Sequence, residues 1–498
     1  MNNLYDYIII GSGISGLYFG NLLKSKTDNF LVLEKKGRMG GRIKTVKKNC
    51  FWYEAGATRI PFNHKKVLKL IEDLNLENKL IKMDCEIDFN INNKFINSKK
   101  CKLEFEKTTR KIISQGSKLS KGTKLSNTLL SISNHILNKK IIDDYIIKTG
   151  YNSQQYKCNF YNYLKNLKNY FNTKYYKLDN GLFQIIEELA CNIGKDKIKL
   201  LHLVQDIKFD KKNKIFNMKV NNKLIKTKNI ICAVPKLDLL KFDILNDYDN
   251  LLNSVSHNRY IRVYAKYKKV NGKYWFENLN KVVTNKCLRK IIPVNKNKGI
   301  IQLCYCDNLY AEMLNNENIN GTLYEVVYKN LCEVFPNLKI PKPSYFKAHY
   351  WDAGTHWWLP NADTTKIINR IQKIDDNIPL YIIGEAYSTV QGWMEGALDS
   401  AETVFNKIFN EKTKKSKFKK YKKYSLKEVS KHNKEKDAWV VYKDNVYDIT
   451  KWIPLHPGGN VIKYGFGKDI TELFLNVGHS NSAHIVMEKY KIGELKSI

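Results

Sequence analysis

The segment that most constrains this chain is its opening, where the apolar run Tyr5-Asp6-Tyr7-Ile8-Ile9-Ile10 passes directly into Gly11-Ser12-Gly13-Ile14-Ser15-Gly16. The run reads as a buried strand. A helix is predicted from about Ile14 to Lys24, and Phe30-Leu31-Val32-Leu33 reads as a second strand ending at Glu34. This is a β-α-β unit of ordinary length, which points to an α/β fold. In the G-x-G-x-x-G turn, Gly11 permits the tight bend and Gly13 lets the backbone approach a pyrophosphate. Gly16 lets helix and strand pack closely, and the helix N-terminus offers unpaired N–H groups to phosphate oxygens. Glu34 lies 18 residues after Gly16, where a carboxylate at the strand end can accept two ribose hydroxyls. The pattern predicts a bound dinucleotide, with NAD and FAD both open at this point.

Composition narrows the class. The 498 residues are 43% hydrophobic, which excludes global disorder and allows several domains with cores of their own. No run approaches the ~18–20 apolar residues of a membrane span. Met1-Asn2-Asn3-Leu4 lacks the basic and apolar regions of a signal peptide. All ten cysteines lie between Cys50 and Cys332 without a C-x-x-C pair, as expected of buried thiols in a reducing compartment. A cytoplasmic protein is expected, and the lysine- and asparagine-rich style is also compatible with a large AT-rich viral genome and placement in a virion. The net charge of +37 has two readings, that same codon style or attraction to an anionic surface. No recognition helix, zinc spacing or RNP-like stretch accompanies it, so no specific nucleic-acid partner is expected. Only eight of the 85 basic residues are arginine, so each surviving arginine is a candidate for a site that needs a bidentate fork.

Asn63 can cap a helix through about Leu74. Residues 86–179 are polar, with apolar spacing that hints at helices near 128–148 and 160–170. Strand signals return at Ile198–Ile207, Ile215–Val220 and Asn229–Pro235, then at 261–268, 300–306 and 381–384. Helices are expected at 322–335 and from Gly396 to about Ile408. The run EKTKKSKFKKYKK, residues 411–423, holds eight lysines and one acid and reads as an exposed linker. Beyond it, Tyr424–Ile498 is nearly charge-balanced, as a separate compact module would be.

Further motifs bear on the choice of dinucleotide. Lys35-Lys36-Gly37-Arg38-Met39-Gly40-Gly41-Arg42 follows Glu34, then Glu54-Ala55-Gly56-Ala57-Thr58-Arg59, and much later Gly384-Glu385-Ala386 and Gln391-Gly392-Trp393-Met394-Glu395-Gly396-Ala397. With these motifs the chain resembles the flavin-containing amine oxidases, the group of monoamine, polyamine and L-amino-acid oxidases. The resemblance covers roughly residues 5–75 and 180–408. It implies a discontinuous, Rossmann-like α/β domain for FAD from residues 1–85, 180–240 and 376–410, with an α+β substrate domain from 86–179 and 241–375. It also implies Glu34 at the adenosine ribose, Arg38, Gly40, Gly41 and Arg42 in the loop along the pyrophosphate and ribityl chain, and Gly56 and Ala57 beside the flavin ring. Val204 would stand by the adenine side, with Gly384 and Glu385 near the ribityl and pyrophosphate groups. Met394 would sit at a helix start facing the pyrimidine end of the flavin. Members with covalent FAD use a cysteine ahead of the last strand. Trp351–Trp358 contains none, so the FAD is expected to be noncovalent.

For the substrate, the resemblance implies an aromatic cage over the flavin, with Trp393 as one wall and His356 or Trp357 as the other. Arg262 falls where the family commonly has a lysine near flavin N5, a departure, because an arginine does not readily share its proton. Arg59 matches the arginine with which L-amino-acid oxidases clamp a substrate carboxylate. A small-molecule amine or amino acid is therefore the expected substrate. Alternatives are a desaturase or dehydrogenase of a non-amine substrate, or a member with reduced catalysis that serves as an electron-transfer or interaction module.

In the tail, Asp437-Ala438-Trp439-Val440-Val441, Asn445–Thr450, His456-Pro457-Gly458-Gly459 and Gly478-His479-Ser480 are similar to cytochrome b5 throughout, a small α+β fold over residues 424–498. The resemblance implies haem b with His456 and His479 as axial ligands, and Ile449, Val461, Phe474, Leu475 and Ile485 as candidate lining. Two filled axial positions suit electron transfer rather than oxygen activation. A flavin that passes electrons to this haem, or to an external acceptor, is the expected use of the fusion.

Overall fold

The computed structural model describes residues 4–83, 86–151, 158–414, 422–477, 486–487 and 490–496. They divide into two compact units, one ending at Phe409 and the other beginning at Asn410. In the first, a seven-stranded sheet sets Phe30–Leu33, Leu4–Ile10 and Lys223–Cys232 side by side in parallel. Ile198–Lys199 joins the Phe30 strand, and Leu380–Ile382 joins the end of Lys223–Cys232, both also parallel. Ile215–Val220 and Val204–Asp210 extend the sheet as an antiparallel meander. One sheet is thus assembled from chain segments far apart in sequence.

The unbroken apolar run at the start follows from this position. Tyr7 and Ile9 pack into one cluster with the helices Ile14–Leu23, Phe183–Ile193 and Met394–Lys414, whereas Ile8 and Ile10 pack into another with Val204, Phe216, Trp358 and Tyr387. Successive strand residues point to opposite faces, so a strand covered on both sides must be apolar throughout. Each such side chain removed from water contributes ~1.5–3 kcal/mol.

A second seven-stranded sheet runs in the order Tyr345–Trp358, Val255–Lys266, Ile300–Asp307, Lys290–Asn295, Lys281–Thr284, Ile87–Ile91, Lys94–Ile96. The helices Asn308–Asn320 and Leu323–Val334 pack into its core, and a helical insert of Ser98–Lys118, Lys139–Thr149 and Phe160–Tyr170 encloses a further cluster around Ile112, Tyr145 and Phe160.

Several elements differ from expectation for identifiable reasons. The strand expected over 198–207 is broken because Leu201 takes a positive φ of 57°, and pairing resumes only at Val204. The helix expected to be capped by Asn63 starts at Lys65 after His64; Asn63 instead donates to the Asn169 carbonyl. Glu395 supplies the capping contacts from another helix, accepting the N–H groups of Lys66 and Val67 at 3.0 Å. Ser98–Lys118, a helix the sequence reading passed over, buries only Cys101, Thr109, Ile112 and Gly116, too sparse an apolar face to stand out.

The second unit has a five-stranded sheet in the order Lys422–Tyr424, Lys491–Leu495, Asn445–Asp448, Asp437–Tyr442, Asn433–Lys434. Ser425 and Glu428 form a reciprocal capping box at its first helical turn. Val440, Tyr447, Ile449 and Phe466 belong to its core. Lys422 and Lys423, expected in the linker, are paired strand residues, and the helix from Met394 runs on to Lys414; residues 415–421 lie outside the described residues.

Three segments of the first unit are clasped at the buried Glu385. Its carboxylate takes an ion pair from Arg42, a 2.6 Å bond from His356 Nδ1 and a 2.8 Å bond from the Gly392 N–H. Burial alone would raise the Glu385 pKa; Arg42, His356 and the Gly392 N–H outweigh it and hold the group down at about 2. Burial keeps His356 neutral, so its Nδ1–H donates. Because the folded pKa lies below the unfolded one, this stabilisation is present above about pH 4 and is lost as pH falls toward about 2. Glu385→Gln is therefore expected to cost about 3 kcal/mol at neutral pH and to flatten the acid limb of the stability profile, as measured by denaturant titrations from neutral to acid. Wild-type stability in the variant would show that the clasp contributes nothing.

Candidate functional site

At the end of the strand Leu4–Ile10 the chain turns through Gly11, whose φ of +104° suits glycine alone. Gly16 lies so close behind it that a Cβ there would meet the Gly11 carbonyl oxygen at 2.1 Å. At Gly13 a Cβ would meet nothing within 4 Å; the backbone is open on that side. The helix Ile14–Leu23 starts there with no side-chain cap and no acid in its first turn, so its N–H groups remain directed at the opening. Glu34 accepts the Ser12 N–H at 3.1 Å, the Ser12 hydroxyl at 2.9 Å and the Lys36 N–H at 2.9 Å.

The loop after Glu34 folds back onto the cradle. Gly40 bridges to Gly13, and Arg38 donates to the Met39 and Gly41 carbonyls at 2.9 and 2.7 Å. Arg42 reaches Glu385 and the Gly354 carbonyl, and its own carbonyl accepts the Ala57 N–H at 3.0 Å. The Gly384 N–H donates to Ser400 at 2.8 Å, and a Cβ on Gly384 would stand 3.8 Å from the Ser15 hydroxyl. Met394 begins its helix buried, and Val204 begins its strand against the core of the same sheet. An open backbone, an uncapped helix N-terminus and a strand-end carboxylate fit a dinucleotide.

Beyond Gly56, arginine and aromatic side chains gather in a cluster, hereafter the chamber. Arg262 donates to the Gly56 carbonyl, to the Thr58 hydroxyl at 2.7 Å and to the Glu54 carbonyl at 3.3 Å, and its guanidinium lies 4.3 Å from the Tyr305 ring centre. Arg59 stands 4.6 Å from the ring of Tyr175 and 5.7 Å from that of Trp393. Trp393 is stacked with Tyr175 at 6.3 Å and also contacts Tyr170 and His64. Burial lowers His64 to about 4, so it is neutral at physiological pH, and its Nε2 is bonded to the Tyr170 hydroxyl at 2.9 Å. Arg59, Arg262, Trp393 and Tyr305 are each half-buried.

His356 and Trp357, the two candidates for the second cage wall, face in different directions. Along Tyr345–Trp358, Thr355 and Trp357 face the Gly392 turn, where a Cβ on Gly392 would lie 3.6 Å from Thr355 and 3.8 Å from Trp357. His356, one residue out of phase, faces Glu385 and is fully buried; it holds the clasp rather than lining the chamber. Trp357 lies mostly within the cluster of the helical insert. The sequence reading missed Tyr151, Tyr170, Tyr175, Tyr260, Lys290 and Tyr305. Tyr305 is half-buried between the fully buried Cys304 and Cys306, and nothing in the sequence marks it out from the other tyrosines.

In the second unit, His456 follows the turn Thr450–Leu455, and its Nδ1 bonds the Gly459 carbonyl at 3.3 Å. A carbonyl only accepts, so Nδ1 donates this bond. Leu455, Val461 and Tyr464 beside it, and Leu473 and Val477 on the next helix and its end, are all exposed. Such a group of large apolar side chains fits the face of a macrocycle. Ile449 is buried in the core, and Phe474 packs on it, 4.7 Å from the Tyr442 ring. His479 and Ile485 lie outside the described residues, as does the side chain of Leu475.

Residues 14–244 match the family model for flavin containing amine oxidoreductases, and residues 425–496 match the model for the cytochrome b5-like heme/steroid binding domain. A cytochrome b5 of Drosophila melanogaster is 54% identical over 69 residues, 14% of this chain and 52% of that protein. Cytochrome b5 isoform E of Arabidopsis thaliana is 50% identical over 74 residues, 15% of this chain and 55% of that protein. The chain spans about half the length of the curated relatives it matches. A solved structure titled "Putative protoporphyrinogen oxidase from Exiguobacterium sp. 255-15" superposes with a TM-score of 0.65 at 14% identity, covering 82% of this chain and 100% of that one; this likeness concerns the fold. The two family matches imply FAD in the first unit and haem in the second. The chain therefore joins a flavin amine oxidoreductase-family domain to a cytochrome b5-like domain.

Proposed function

We propose that the first unit oxidises a small amine that also bears a carboxylate, an L-amino acid in preference to a simple amine, and that the second unit carries the electrons away. The observation behind the choice of substrate is Arg59. It lies against Tyr175 and Trp393, and among the described residues no carboxylate pairs with it. A guanidinium does not shed its proton, and a buried charge needs a partner. A substrate carboxylate is the partner whose planar shape matches its fork.

The residues that would hold FAD are Gly11, Gly13, Gly16, Glu34, Arg38 and Arg42, with Gly56, Ala57 and Met394 toward the ring. Trp351–Trp358 offers no thiol, which favours noncovalent attachment. When bound, FAD supplies the acceptor for the hydride equivalent lost from the carbon that bears the amine. Trp393 and Tyr175 present parallel faces that exclude water and orient the substrate. Arg262 keeps its proton and is tied to Gly56 and Thr58, so it fixes the backbone beside the ring position rather than transferring a proton.

His456 and His479 would hold haem b. Electron carriage through a bis-imidazole iron needs no oxygen site, and a covalent tether between the two units raises their effective concentration.

A charge-assisted hydrogen bond of about 1.5–3 kcal/mol sets the expected size of the Arg59 effect. Arg59→Met should lower kcat/KM for amino acids ~10–100-fold and leave that for the corresponding simple amines nearly unchanged; an equal loss for both classes would assign Arg59 a purely structural role. His456→Ala should remove the Soret band while the flavin absorption persists, and in the wild-type chain anaerobic substrate should reduce the haem. A Soret band that survives the substitution would rule out His456 as a ligand, and a haem that stays oxidised while the flavin bleaches would rule out transfer within the chain.

A further inference from the structure

Lys290 is a buried lysine of the second sheet, on the strand Lys290–Asn295. Among the described residues no ion pair joins it to a carboxylate. Its side chain crosses Gly150, which closes the helix Lys139–Thr149 with φ +70°; a Cβ at Gly150 would lie 2.3 Å from Lys290 Cε. The fold thus keeps a channel for this side chain. Its Nζ ends 2.9 Å from the ring centre of Tyr151 and 5.4 Å from that of Tyr305. Tyr305 also faces Arg262 and packs with Tyr151 and Tyr260 at 5.6 and 5.7 Å. Burial, helped by Lys281, Arg59 and Arg289 and opposed by Asp307, pushes the Lys290 ammonium well below its ordinary range. Arg59, Arg262 and Lys290 therefore share one tyrosine-lined wall that no described acid neutralises by direct pairing.

We infer that the Lys290 end of this wall is a second anion subsite, so that the substrate carries two acidic groups, one for Arg59 and one for Lys290. The inference rests on the reading of the chamber as the substrate site, and it narrows the substrate to a dicarboxylic amino acid or one with a phosphonate-like second group. An anion beside Lys290 restores its proton, so a diacid should bind with proton uptake and more weakly as pH rises. A monoacid held by Arg59 should show neither effect.

The test is calorimetry on the cofactor-loaded full chain with glutarate, 3-phosphonopropionate and butyrate, in buffers of different ionisation enthalpy. Glutarate or the phosphonate should bind at least ~10-fold more tightly than butyrate with proton uptake, and Lys290→Met should erase that advantage. The tighter of the two diacids identifies the second group. Equal affinity for all three acids, or an advantage that survives Lys290→Met, overturns the subsite. Should the variant lose its flavin, the wild-type pH dependence decides: glutarate binding that does not weaken with rising pH overturns the proposal. Butyrate binding that disappears in Arg59→Met, without any preference for diacids, would sink the second subsite alone. Binding of none of the acids would sink the carboxylate reading with it.

Discussion

The first unit depends on one buried carboxylate. Glu385 follows the strand Leu380–Ile382 of the nucleotide sheet, and its partners come from the loop that covers the glycine cradle, from the longest strand of the second sheet, and from the turn that carries Trp393. A buried ion is tolerated only when every partner arrives in place. The folding of each of these segments therefore constrains the others, and the cradle and the chamber are fixed to the same point. The role of His356 follows from this. A neutral imidazole with its Nδ1 proton on Glu385 is a structural donor, and strand alternation leaves Thr355 and Trp357 to face the Gly392 turn.

The chamber shows the opposite electrostatics. Where Glu385 is over-supplied with donors, Arg59 and Lys290 pair with no acid among the described residues, and aromatic faces stand beside them instead. Cation–π contacts contribute ~0.5–2 kcal/mol each, well short of the cost of desolvating an isolated ion. An anionic substrate, as proposed, would supply the missing partner. That imbalance, rather than the aromatic cage itself, is the ground for proposing a substrate with acidic groups over a simple amine.

How much the sequence disclosed depends on the range of the interactions concerned. The glycine turn, Glu34, and the His456-Pro457-Gly458-Gly459 turn are local devices whose residue types are dictated by backbone geometry within a few positions, and they were readable. Arg59 and Arg262 were noticeable because arginine is rare here. The strand register was not readable to one residue, so His356 and Trp357 could not be separated; a shift of one position exchanges the two faces. The tyrosines and Lys290 were hidden for a different reason. Tyrosine and lysine are abundant throughout the chain, and only the pairing of Lys290–Asn295 with Ile300–Asp307, and the return of the insert to Gly150, bring them to one wall. Ser98–Lys118 was missed because tertiary packing supports it more than its own apolar face does.

The central claim is that the first unit recognises a carboxylate beside the amine it oxidises. Its most direct test is anaerobic mixing of the flavin-loaded chain with an amino acid and, separately, with the amine obtained by removing that carboxyl group, while flavin absorbance is followed. The account predicts rapid bleaching with one or more amino acids and slow or absent bleaching with each matching amine. Equal rates for the two members of every pair, or bleaching by the amines alone, would contradict it.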